Sequence, residues 1–132
     1  MTAISDVFIL DVSDNENFEY RDEKYCVCVS VLSNKCLLIN SKNRGIYDEL
    51  EIDSSDYESK GKIRFVACKN LIDFEEHEIK ERFGSFSYPN MVKILSKLKE
   101  KNRKQFIDVI IELDEWLKNY THNKLADVFN KR

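Results

Sequence analysis

Two stretches of the chain gather residues able to bind a phosphate and act on it. The first, Asn40-Ser41-Lys42-Asn43-Arg44 followed by Gly45, sets a hydroxyl, two amides and two cations at the end of an apolar run. Polar donors at a strand end can grip a phosphate and stabilise the charge that develops on it during transfer. The same residues equally make a plain turn. The second stretch carries Lys93, Lys97, Lys99, Lys101, Arg103 and Lys104 against the single Glu100, the most positive patch in the sequence. Lys42, Arg44, Lys93 and Lys97 are the candidate RNA contacts, although the solvated face of an amphipathic helix is the simpler reading of the lysine-rich patch.

Other reactive residue types point away from chemistry. The sequence has no glycine-rich phosphate loop, no GxSxG nucleophile elbow and no HExxH pair. His77 and His122 lie far apart in charged contexts without an adjacent nucleophile, and read as surface residues. Glu75, Glu76, Glu78 and Glu81 crowd the start of a helix-like stretch, where the helix dipole alone favours acids. Asp53, Asp56 and Glu58 read as a solvated acidic loop that disfavours RNA locally. Cys26, Cys28, Cys36 and Cys68 all sit inside apolar, strand-like runs, which marks them as reduced core residues rather than a disulfide framework. Cys26 and Cys28, two apart, share one face of a strand and lack the spacer and partners of a zinc site. No metal and no cofactor is expected.

The elements that must hold these groups follow from the apolar patterning. Asp6 to Val12, Tyr25 to Leu32, Lys35 to Asn40, Tyr47 to Ile52 and Ile63 to Cys68 are short runs rich in β-branched or aromatic residues, bounded by polar segments, and are expected as strands. The Ser33-Asn34 pair between the second and third runs predicts a hairpin. From Phe74 to Phe83 the pattern FEEHEIKERF, closed by Gly84, predicts a short helix. A second helix is expected from Pro89, with Met91, Ile94, Leu95 and Leu98 on one face. A third is expected from about Lys104 to Tyr120, where Phe106, Val109, Ile110, Leu113 and Leu117 form a stripe that Ile107, Ile111 and Trp116 widen, implying burial on more than one side. Asn123 to Arg132 is expected to add a frayed terminal helix.

Strands followed by helices define an α+β protein: a small β-barrel or twisted antiparallel sheet, then amphipathic helices. At 132 residues the chain fits one domain, β-rich over about 1–72 and helical over about 73–132. The net charge of −3 provides no global field for nucleic acid or an anionic membrane, so RNA binding must rest on a local patch. No apolar run approaches the roughly 20 residues of a membrane helix, and MTAISDVFILDV lacks a basic start. A cytoplasmic protein with no membrane partner is expected.

Taken in order, DVFILDVS, the hairpin YCVCVSVLSNKCLLINSK, and IRFVACKNLIDFEEHEIKERFGSFS leading into VKILSKLKE span about Asp6 to Glu100. This succession resembles the PemK/MazF-like toxin family, particularly divergent members that append helices to the barrel. The resemblance implies an SH3-like β-barrel, a homodimer, neutralisation by a cognate antitoxin, and metal-independent endoribonuclease activity on single-stranded RNA. It also implies attack by a ribose 2′-hydroxyl on the adjacent phosphate, with a basic side chain near the start of the second strand and a hydroxyl at the end of the third. Those places are held here by Arg21 or Lys24 and by Ser41. The family's arginine is followed by proline and its third strand ends in threonines, whereas this chain reads RDEKY and Asn40-Ser41, with Asp22 and Glu23 beside Arg21.

Two other classes compete with the toxin. One is a non-enzymatic binding protein, such as an immunity or antitoxin-like partner or a phage-defence component, in keeping with the acidic balance and the missing Arg-Pro pair. The other is an oligomer subunit that buries the wide stripe of the last helix against a copy of itself. A ribonuclease requires Ser41 and Arg21 or Lys24 to converge on one concave surface, which a binding module does not.

Overall fold

The computed structural model describes residues 1–11, 24–69, 71–102 and 104–130. Among these residues seven strands and two helices follow one another: β1 (Asp6–Leu10), β2 (Lys24–Ser30), β3 (Lys35–Asn40), β4 (Glu49–Asp53), β5 (Ile63–Ala67), β6 (Ile72–Asp73), β7 (Ile79–Ser85), α1 (Tyr88–Asn102) and α2 (Ile107–Asn130). The strands make one antiparallel sheet in the order β4-β5-β3-β2-β1-β7, with β6 also pairing to β3. The protein is therefore α+β. The sheet does not close into a barrel, because no ladder joins β4 to β7; it is the twisted sheet.

Alternation along the central strands sends apolar side chains to both faces, which is why YCVCVSV reads as a continuous apolar run. Val27 and Val29 of β2, with Leu37 and Ile39 of β3, join Ile52 and Val66 in a core covered by Met91, Ile94, Leu95 and Leu98 of α1 and Val109, Ile110, Leu113 and Leu117 of α2. On the other face Cys26, Cys28 and Cys36 pack with Phe8, Leu10 and Phe74. Cys26 and Cys28 do share a face, and all four cysteines are buried outside any disulfide. The helix stripe is narrower than its sequence suggests, since Ile107 and Ile111 are exposed.

The hairpin forms between β2 and β3, through a loop that takes in Val31–Asn34 rather than the Ser33-Asn34 pair alone. Asn34 adopts φ 52°, a left-handed conformation that asparagine tolerates. The loop is tied to α2 by Glu112, whose carboxylate accepts from Ser30 Oγ at 2.5 Å, Val31 N at 2.8 Å and Leu32 N at 3.2 Å.

The helix expected over Phe74–Phe83 is not there. Glu76–Glu78 make a single 3₁₀ turn, and Ile79–Ser85 run as β7 along the free edge of β1, so the β-rich part of the chain extends to Ser85. Two register shifts break the β1–β7 pairing, between Val7 and Phe8 and between Ile9 and Leu10. Bulges of this kind destroy the period-two pattern. Ile79 and Phe83, which an unbroken strand would place on one face, consequently pack against opposite cores.

The far ends of the sheet meet through side chains. Asp56, in the 3₁₀ turn Ser54–Asp56 after β4, accepts through Oδ2 from Ser87 N at 2.8 Å and from Asn90 Nδ2 at 2.7 Å. The Tyr57 and Phe86 rings lie 5.6 Å apart beside this join. The sheet is thus curled into a trough, with the helices filling one part of its concave side and leaving another part open.

Candidate functional site

The open part of the trough is a cleft of about 300 Å³ lined by Lys24, Tyr25, Ile39, Asn40, Ser41, Lys42, Arg44, Tyr57, Glu58 and Arg64. Strand alternation explains its walls. Tyr25 follows the parity of Val27 and Val29, Ile39 that of Leu37, and Arg64 that of Val66, so all three project to the helix-covered side of the sheet, at the strand ends beyond the packed core. Antiparallel pairing brings them together: Tyr25 stands opposite Ile39, and Asn40 opposite Phe65, the residue after Arg64.

Of the residues picked out in the sequence, Lys24, Ser41, Lys42 and Arg44 all line this one cleft. Lys24 opens β2, and Ser41 follows the last residue of β3. In the loop beyond, Asn43 Oδ1 accepts from Gly45 N at 2.8 Å, and Gly45 takes φ 72°; this turn fixes the path of the chain between Lys42 and Arg44. Arg21 lies outside the described residues. Lys93 and Lys97 are on α1 and do not line the cleft. Lys97 is instead close enough to Cys68 to act on its thiol, as are the acids Asp48 and Glu49.

Tyr25, Tyr57 and Arg64 escaped the sequence reading as site residues, and Glu58 was expected only as a loop acid. Arg64 Nη2 lies 3.3 Å from Glu58 Oε1, with both side chains about three-quarters buried. Glu58 is therefore no solvated loop acid. The Ser54 hydroxyl and then the Arg64 guanidinium, against the opposing effect of burial, hold its carboxyl below the usual range. Asp53 and Asp56 are likewise structural, Asp53 Oδ1 capping the 3₁₀ turn at Ser55 N. Burial, and then the Glu58 charge, pushes the Tyr57 phenol up to about 12, so it stays protonated at neutral pH. One signal for Arg64 was available in the sequence, a lone cation inside the apolar run IRFVAC.

Lys24, Lys42, Arg44 and Arg64 against Glu58 give the cleft a net charge of +3 in a chain whose total is −3. Cations converging on a concave, partly low-dielectric surface focus their field on an anion. With Ser41 as a hydroxyl donor, the arrangement suits a phosphodiester.

His77 and the acids near it take no part in the cleft. His77 is exposed in the Glu76–Glu78 turn, with Nδ1 3.1 Å from Glu75 Oε2, and the side chain of His122 lies outside the described residues. Among the described residues no three His, Cys, Asp or Glu side chains come together as a metal-binding group. Nor, among them, is any helix long and apolar enough to cross a membrane. No protein-family model matches the chain, and no curated protein matches it in sequence.

Proposed function

We propose that the protein is a PemK/MazF-like toxin, a metal-independent endoribonuclease that cleaves single-stranded RNA in the Lys24–Ser41–Arg64 cleft. The observation that carries this reading is that Lys24 and Ser41, from opposite ends of the β2–β3 hairpin sequence, line one concave surface together with Lys42 and Arg44. In the proposed reaction a ribose 2′-oxygen bonds to the adjacent phosphorus as the phosphorus–5′-oxygen bond breaks. The proton lost by the 2′-hydroxyl ends on the leaving 5′-oxygen. Lys24 and Arg64 offset the negative charge growing on the non-bridging oxygens, and the Ser41 hydroxyl donates to the phosphate. Lys42 and Arg44 hold the backbone on either side. A cytoplasmic location, a cognate antitoxin and a homodimer using the exposed Ile107 and Ile111 of α2 belong to the same proposal.

A second reading, a non-enzymatic binding protein on the same cleft, draws on Glu58. It neutralises one of the four cations, and the two lining groups with displaced pKa values, Glu58 and Tyr57, move away from neutrality rather than toward it.

Long single-stranded RNA incubated with the protein in chelator separates the two. Cleavage that is lost in Ser41→Ala and in the Arg21→Ala, Lys24→Ala double variant supports the toxin and its site. Cleavage indifferent to those changes keeps the class and removes the residues. A folded protein that binds RNA without cutting it overturns the enzyme in favour of the binding module.

A further inference from the structure

The cleft holds more than cations. Tyr25 is 41% exposed although it lies on β2, an interior strand whose next five residues are buried. Its ring is not loose: the centroid sits 5.4 Å from that of Phe83 on β7, at an interplanar angle of 36°. Phe83 is itself partly buried against the main core, and it owes its place there to the bulge in β7. An aromatic ring braced by a second ring and left accessible at the edge of the core presents a preformed π-face.

Beside it lie Lys24 and Ile39, and the Tyr57 phenol is close enough for the two tyrosines to influence each other electrostatically. The combination of a rigid accessible ring and flanking cations is what an unpaired nucleotide requires: a π-face for the base and positive charge for its phosphate.

Resting on the RNA reading above, we infer that Tyr25 is a base-stacking subsite: one unpaired nucleobase lies on the Tyr25 ring while its phosphate is held by Lys42, Arg44 and Arg64. The cleft, about 300 Å³ in volume, has room for a nucleotide. A duplex, whose bases are already stacked on each other, cannot offer that face. The subsite therefore selects single strands by geometry and favours bases of larger ring area, purines over pyrimidines.

The test uses the whole protein and two short probes that cannot be cut at a 2′-hydroxyl: a 2′-O-methyl oligoadenylate, and the same backbone with abasic sugars. Stacking of one base is worth roughly tenfold or more in affinity, so the oligoadenylate is expected to bind the unmodified protein at least tenfold more tightly than the abasic chain. Tyr25→Ala removes that difference and leaves abasic binding unchanged; Tyr25→Phe retains it. Equal affinity of both probes for the unmodified protein overturns the subsite and leaves the RNA reading standing, and this comparison does not depend on any variant folding. Loss of the base preference in Tyr25→Phe, equal to that in Tyr25→Ala, also overturns stacking as its cause. Binding of neither probe overturns the subsite and the RNA reading together.

Discussion

The Arg64 guanidinium and the Glu58 carboxylate face each other at 3.3 Å in the wall of the cleft, so one of its four cations carries its own counter-ion. An approaching phosphate must compete with Glu58 for Arg64. Glu58→Gln leaves a neutral group of the same size and releases a full positive charge. Single-stranded RNA is expected to bind this variant more tightly, with the slope of log affinity against log salt steeper by about 0.7, the increment for one added phosphate contact. A salt series by equilibrium binding checks it; an unchanged slope means Arg64 does not meet the backbone.

The same carboxylate predicts a pH dependence. Glu58 and Glu76 have folded pKa values below the ordinary 4.5, Glu58 through Ser54 and Arg64, Glu76 through the hydroxyl and amide of Thr2 and then Arg82. A depressed folded pKa means the unfolded chain binds protons first on acidification. The stability from both groups is complete above about pH 5, diminishes as pH falls through 4.5, and is gone below their folded values. Thermal melts between pH 6 and 3 should show the midpoint falling through this window, with a shallower fall in Glu58→Gln.

Asp56 predicts the cost of opening the trough. Its carboxylate joins the β4–β5 connection to Ser87 and to the buried Asn90 at the start of α1. Asp56→Ala leaves those donors without partners, and is expected to cost about 1–3 kcal/mol in urea unfolding. Because this join shapes the cleft beside Tyr57, RNA affinity should fall in the same variant. Unchanged stability would mean that the ends of the sheet are held by the Tyr57–Phe86 contact instead.

The cysteines should be silent in the native state. Burial pushes the Cys28 and Cys68 thiols up to about 12, and the Cys36 thiol is raised as well, by the neighbouring Cys26 and by burial. A thiolate is the reactive form. A thiol-exchange reagent at pH 8 is expected to label none of the four until denaturant unfolds the chain, when all four react. Rapid native labelling of Cys36 would show that the core formed with Phe8 and Phe74 opens locally.

What the sequence by itself determined was the strand-then-helix order. Alternation and β-branched residues mark β1 to β5 locally, Pro89 and the three-to-four spacing of Met91, Ile94, Leu95 and Leu98 mark α1, and the stripe from Phe106 to Leu117 marks α2, because each pattern has the period of the element it forms. Ser41, Lys42 and Arg44 were legible because polar donors collect at the end of β3, whereas Lys24 was picked out only by the family resemblance. Only the tertiary structure decided the rest. Segment 74–85, acid-rich and without alternation, becomes a turn and a bulged strand because the free edge of β1 supplies hydrogen-bond partners that outweigh its helical pattern. The cleft exists because β5 pairs with β3 across more than twenty intervening residues, setting Arg64 and Tyr57 beside Ser41. No local propensity records a pairing between distant segments; it is fixed only when both faces of the sheet have found something to bury against.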